Sequence, residues 1–314
     1  MSMETVLPAA KLIECAYEKL KAQDALAAME LLEKALEADF ENEELKHALK
    51  CVTWWLEQSR RIEDIEDQYE KGGFILSLLK QYHMFLNHFD RVYDQCQYAI
   101  RYYVFSTALS FFSGMLGDGV NQHDPGLLLL AGRCYKGLGN YDEALKYLEQ
   151  AIRFKREDAE SLAELADIYA LLADTKAAKA LFREAFYIDP GKVSILSMES
   201  ELILRLWDKV AELGYKEDEI CEWVPVYGYL WGVFSVKREL KQVEIGRLKQ
   251  SIFSLEAEKT ANPSRKTRII PRLLNRYFWL IDHYESSGAD PALIEELLLK
   301  IKVTDPDIYQ RYTR

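Results

Sequence analysis

The sequence predicts an all-α solenoid of antiparallel helix pairs, with degenerate or capping helices at both ends, and three observations carry that reading. Glycine (15) and proline (8) are scarce in 314 residues, which disfavours a turn-rich β architecture. Small and apolar residues recur at helical spacing with a fixed 34-residue offset in the middle of the chain. No stretch alternates apolar and polar residues between turn signals, as a half-buried strand would. The composition, 49% hydrophobic and 29% charged, allows a substantial core. A net charge of −11 argues against a chain whose whole surface binds nucleic acid.

The repeat is read by sliding the segment from Pro125 forward by one period. Leu128 then meets Leu162, Gly132 meets Ala166, and Tyr135 meets Tyr169. Further on, Gly139 meets Ala173, Ala144 meets Ala178, Leu148 meets Phe182, and Ala151 meets Ala185. Small residues at a helix crossing let two backbones approach closely, so Gly132 and Ala166 on first helices should face second helices through Ala144 and Ala178. Gly139-Asn140 and Asp189-Pro190 punctuate the helices as a turn and a stop.

This pattern resembles the tetratricopeptide repeat (TPR) family, clearly over residues 124–190. Residues 9–42 continue it, with Ala16, Ala28, Leu32 and Ala35 at the small and apolar positions. Elsewhere it is degenerate. Residues 89–118 keep only Ala108, Phe112 and Met115, and Val193–Leu213 reads as a further first helix with Ser200 at its packing position. The organisation expected is 1–72 N-terminal helices with one repeat, 73–118 aromatic-rich helices, 119–213 two repeats plus a following helix, and 214–314 a C-terminal helical region. In these outer regions the patterns predict helices over 43–70, 237–259 and 271–285, and one opened by Asp290-Pro291.

The resemblance implies a groove lined by first-helix side chains that binds a segment of another protein. Carried onto this chain, its positions are Leu129, Arg133 and Lys136 in one repeat, Glu160, Asp167 and Ala170 in the next, and Glu201 and Arg205 in the helix after. Leu129 and Ala163 stand where a carboxylate clamp of the family has lysine or asparagine, so that clamp is absent. The uncharged run Trp223–Val236, with Trp223, Tyr227, Tyr229, Trp231 and Phe234 as an aromatic flank, reads equally as core or as a second contact surface. Pro225, Gly228 and Gly232 in that run predict an interrupted helix.

Catalytic motifs are missing: there is no G-x-G-x-x-G, phosphate loop, H-E-x-x-H or G-x-S-x-G. The function expected is therefore a non-enzymatic scaffold or adaptor without a cofactor, working in a multi-protein assembly. Five cysteines without a C-x-x-C pair read as reduced thiols, not as a disulfide framework or zinc site. His47 and Cys51 lie four apart and could share a helix face, but two ligands do not make a site, so no metal is expected. No apolar segment is long enough to span a bilayer and no leader is visible, so a cytoplasmic protein is expected. Membrane-edge contact and homo-oligomerisation are left open.

The competing reading is an anionic-surface binder (acidic protein, lipid or nucleic acid). Residues 259–276 hold Lys259, Arg265, Lys266, Arg268, Arg272 and Arg276 with no acidic residue. Arg268, Arg272 and Arg276 could line one helix face as a cationic stripe, or pair with the chain's own carboxylates.

Overall fold

In the computed structural model, which describes residues 8–117 and 123–313, about 80% of the chain is helical, and no strand occurs among the described residues. The chain divides into two compact units, Met1–Phe154 and Lys155–Arg314. That division falls between the two clear repeats. The four segments expected from sequence are thus not its compact units, and the boundary expected at 118/119 lies outside the described residues.

The N-terminal unit is built from α1 (Ala9–Lys21), α2 (Ala25–Ala38), α3 (Glu43–Ser59), α4 (Gln68–Leu86), α5 (Asp94–Gly117), α6 (Pro125–Gly137) and α7 (Tyr141–Phe154). Helices α1 and α2, α4 and α5, and α6 and α7 pack as pairs, and α1 also packs on α5. The C-terminal unit comprises α8 (Ala159–Leu171), α9 (Thr175–Ile188), α10 (Glu201–Ala211), α11 (Glu217–Leu230), α12 (Gln242–Ala261), α13 (Lys266–Ser287), α14 (Pro291–Thr304) and α15 (Pro306–Tyr312). Its central element is α13, which packs against α11, α12 and α14. Leu273, Leu274 and Tyr277 to Ile281 are buried on nearly every side of it, as a core helix requires.

Helix starts follow local chemistry. Asp24, Asn42, Asp67, Asp124, Asp158, Asp174, Asp290 and Asp305 each cap a helix by accepting a backbone N–H. Each such cap contributes about 1 kcal/mol. Close crossings follow the small residues. A Cβ on Gly132 would lie 2.6 Å from the Leu148 side chain, so α6 and α7 can meet this closely only with glycine there. Gly72 on α4 plays the same part, 2.4 Å from the Phe112 ring on α5. Ala144, Ala166 and Ala178 are fully buried.

The turns of the two clear repeats share one hydrogen-bond pattern, and the α1–α2 turn has it too. Asn140 N–H donates to the Tyr135 carbonyl (2.9 Å), Asp174 to Tyr169 (2.8 Å) and Asp24 to Lys19 (2.9 Å). The preceding residue is left-handed each time: Gly139 at φ +77°, Ala173 at +65° and Gln23 at +63°. Residues 9–42 thus turn as the repeats do.

Several expected helices are redrawn. The span 43–70 breaks after Ser59 into a 3₁₀ turn, and the next helix begins at Gln68, so the pair α4–α5 straddles the expected 72/73 boundary. Val193–Leu213 is not one helix: residues 190–200 form short 3₁₀ turns, and Ser200 is the residue before α10, not a crossing position. A second helix, α11, does follow, and it runs unbroken through Pro225 and Gly228. Helix α12 starts at Gln242, later than expected, while α13 starts early, at Lys266, with Pro271 inside it.

Ala144→Leu and Ala178→Leu should each lower stability by about 1–3 kcal/mol, because a larger side chain must enter a filled crossing. Ala173→Gly should do the opposite. Relief of a left-handed alanine outweighs the extra chain entropy of glycine, for a gain of roughly 0.5–1 kcal/mol. Urea denaturation of the three variants beside wild type measures both.

Candidate protein-interaction site

The expected groove positions are reached by two different routes into the protein. Leu129, Lys136 and Asp167 are buried, Lys136 with 2% of its surface exposed. A buried side chain cannot meet a partner. Asp167 instead accepts the backbone N–H groups of Glu199 and Ser200, both at 2.9 Å, and so fixes the chain entering α10. Arg133, Glu160 and Ala170 are half-buried, and Arg133 and Glu160 already interact within the chain. Glu201 and Arg205 are exposed on the first turns of α10 and pair with each other at 2.8 Å. Such a pair is worth a few tenths of a kcal/mol and leaves both accessible.

Of the two readings of the aromatic flank, core holds for most of it. Trp223, Tyr227 and Phe234 are buried, and Tyr229 is half-buried against Phe278 and Tyr312, with ring centroids 4.6 and 6.0 Å away. Only Trp231 is exposed, at 38%. Gly228 is what admits the arrangement: a Cβ there would lie 2.5 Å from the Phe234 ring.

Beneath this segment lies a buried polar network. Arg183 on α9 pairs with Asp282 on α13, both nearly inaccessible. The second oxygen of Asp282 accepts from the Tyr229 hydroxyl (2.8 Å) and from Lys237 (2.8 Å). Arg183 also donates to the Val236 carbonyl at 3.0 Å and lies over the Trp279 ring, 4.4 Å from its centroid. Burial and the Asp282 charge push the Tyr229 hydroxyl well above the usual tyrosine range, so it stays a donor.

Within the basic stretch Arg272 and Arg276 are turned inward, whereas Arg265, Lys266 and Arg268 stay exposed. Arg272 is held by both oxygens of Glu222 (2.6 and 2.7 Å) and by Asp189 (3.0 Å). Arg276 donates to Ser251 and to the Tyr187 carbonyl. Arg265 and Arg268 lie 3.5 Å from Glu258 and Asp218, and Lys259 donates to Thr304. The carboxylate partners are Asp189 after α9, Asp218 and Glu222 on α11, and Glu258 on α12.

The C-terminal unit also has a cleft between α12, α13 and α14, of about 260 Å³. Ile252, Leu280 and Leu297 make an apolar floor, and Phe253 stands at its edge with 73% of its surface exposed. The rim carries Lys249, Glu256, Glu296 and Lys300. Lys300 bridges Glu256 (3.1 Å) and Glu296 (3.4 Å). Burial works against its charge, but these hydrogen bonds prevail and raise its pKa. Val243, Leu299 and Val303 are further exposed apolar residues on the same two outer helices. Sequence reading missed this cleft, although the apolar excess of α14, Leu293–Val303, is a visible signal.

In the N-terminal unit the structure adds a buried cysteine, Cys96, to the His47–Cys51 pair that sequence reading set aside. Among the described residues no helix is long and apolar enough to cross a membrane.

Asp282→Ala leaves Arg183 buried without its counter-charge and should cost about 3–5 kcal/mol. Arg205→Ala, which removes an exposed pair, should cost less than about 0.5 kcal/mol. Thermal denaturation of the two variants separates a structural network from a surface one.

Comparison with known proteins finds the tetratricopeptide repeat family at residues 125–158 and 159–192. No curated protein matches the chain. The match ends where the second pair gives way to the 3₁₀ turns after Asp189. With the crossings and turns of α6–α7 and α8–α9, it identifies residues 125–192 as two consecutive tetratricopeptide repeats.

Proposed function

We propose that this protein is a non-enzymatic interaction scaffold that seats an apolar or amphipathic segment of a partner protein in the α12–α13–α14 cleft, as one component of a larger assembly. The observation that carries the class of function is the pair of tetratricopeptide repeats, because such repeats generally mediate protein–protein interaction. The cleft supplies the place: an apolar floor, an exposed aromatic anchor at its edge and a rim of both charge signs suit an amphipathic helix. Arg133 in the N-terminal unit, and Glu160 and Ala170 in the C-terminal one, are secondary contact positions by virtue of their partial exposure.

The test is affinity capture from native cells with the full chain, followed by mass spectrometry and a binding titration with the recovered partner. Phe253→Glu should weaken binding by about 30-fold or more, the loss of a central aromatic anchor, while the melting temperature stays at the wild-type value. Arg133→Glu should change affinity by less than about fivefold, as a peripheral contact does. Equal capture by wild type and Phe253→Glu would remove the cleft from the proposal.

A further inference from the structure

The core between α3 and α5 of the N-terminal unit is not purely apolar. His47 and Cys51 sit one turn apart on α3, and Cys96 arrives from the first turn of α5. All three are buried, and one ligand atom from each lies within 4.8 Å of the other two. His47 Nε2 is 3.5 Å from Cys51 Sγ. Gln97 closes the cluster: its Nε2 is 3.2 Å from His47 Nε2 and 3.9 Å from Cys51 Sγ, while its Oε1 accepts from the Tyr82 hydroxyl at 2.9 Å.

Packing alone does not call for this set. His47 is 4% exposed, and its Nδ1 is buried with no hydrogen-bond partner. It is Nε2, not the orphaned Nδ1, that faces the Cys51 thiol, and a leucine at this position would bring no donor atom to it.

We propose that His47, Cys51 and Cys96 hold one zinc(II) ion, with the side-chain oxygen of Gln97 turned into the fourth position. Tetrahedral zinc with Zn–S near ~2.3 Å and Zn–N near ~2.0 Å places nitrogen and sulfur roughly 3.5 Å apart, the separation found between His47 and Cys51. On coordination each thiol releases its proton to solvent. Two thiolates, a neutral imidazole and a neutral amide then balance the 2+ charge, so the complex is uncharged and tolerates the apolar surroundings. The ion would staple α3 to α5, which are distant in sequence. It is a closed structural site and leaves no open position for catalysis.

The experiment uses the full chain, reduced and stripped with chelator, titrated with Co²⁺ and then Zn²⁺. One equivalent of Co²⁺ should produce thiolate-to-cobalt charge-transfer absorption with tetrahedral visible bands, and one equivalent of Zn²⁺ should bleach both. At Zn²⁺ about 100-fold above its Kd, the melting temperature should rise by about 5–10 °C. Cys51→Ala and Cys96→Ala should lose the charge-transfer band, whereas Cys134→Ala, a buried cysteine outside the cluster, should keep it. His47→Gln leaves both thiols in place and should weaken affinity at least tenfold. The wild-type titration stands even where a variant fails to fold. Absence of a thiolate band in the reduced wild-type protein, or a band that survives Cys51→Ala and Cys96→Ala, overturns the site.

Discussion

Close approach of paired backbones is the constraint on which the rest of the structure depends. Where α6 meets α7, the Leu148 side chain occupies the space a Cβ on Gly132 would need. The same substitution of ring or branched side chain for a missing Cβ recurs at Gly72 against Phe112 and at Gly228 against Phe234. These contacts exclude water and bring large side chains over backbone, where dispersion contacts are dense. They also dictate the turns. Two helices this close must be joined by a short connection, and the three-residue turn with one left-handed position serves α1–α2, α6–α7 and α8–α9 alike. Alanine and glutamine accept that conformation where glycine is missing because the surrounding hydrogen bonds over-determine it.

That constraint explains what could be read from sequence. Crossings need small residues at fixed positions and helix starts need Asp or Asn, so the signal is local and periodic, and the repeats at 125–192 stand out. Interactions that depend on distant segments leave no such trace. Ser200 resembles a crossing residue by its spacing, yet it precedes α10 because Asp167, more than thirty residues earlier, binds its N–H. Pro225 and Gly228 look like helix breakers, but α11 continues through both, since Gly228 is needed where Phe234 folds back. The stripe at Arg268, Arg272 and Arg276 looks free because Asp189, Asp218 and Glu222 come from elsewhere. Cys96 shows no spacing relation to His47 and Cys51, and only the packing of α5 brings it there.

The fate of the charges bears on how such a protein can recognise others. Some of its carboxylates sit at helix N-termini, where they meet the positive end of the helix dipole, and others meet arginines inside the C-terminal unit. Arg183, Arg272 and Arg276 are correspondingly directed away from solvent. A polyanion binder needs the reverse arrangement, with unpaired cations outside and an affinity that falls steeply with salt. At the α12–α13–α14 cleft Phe253 is exposed within a rim where Lys249 and Lys300 alternate with Glu256 and Glu296. Rim charges of both signs largely cancel beyond a Debye length and act only on a partner already in contact. They can fix its register while buried apolar area supplies the affinity. A partner seated there, as proposed, would be recognised by shape and apolar fit, with weak dependence on salt.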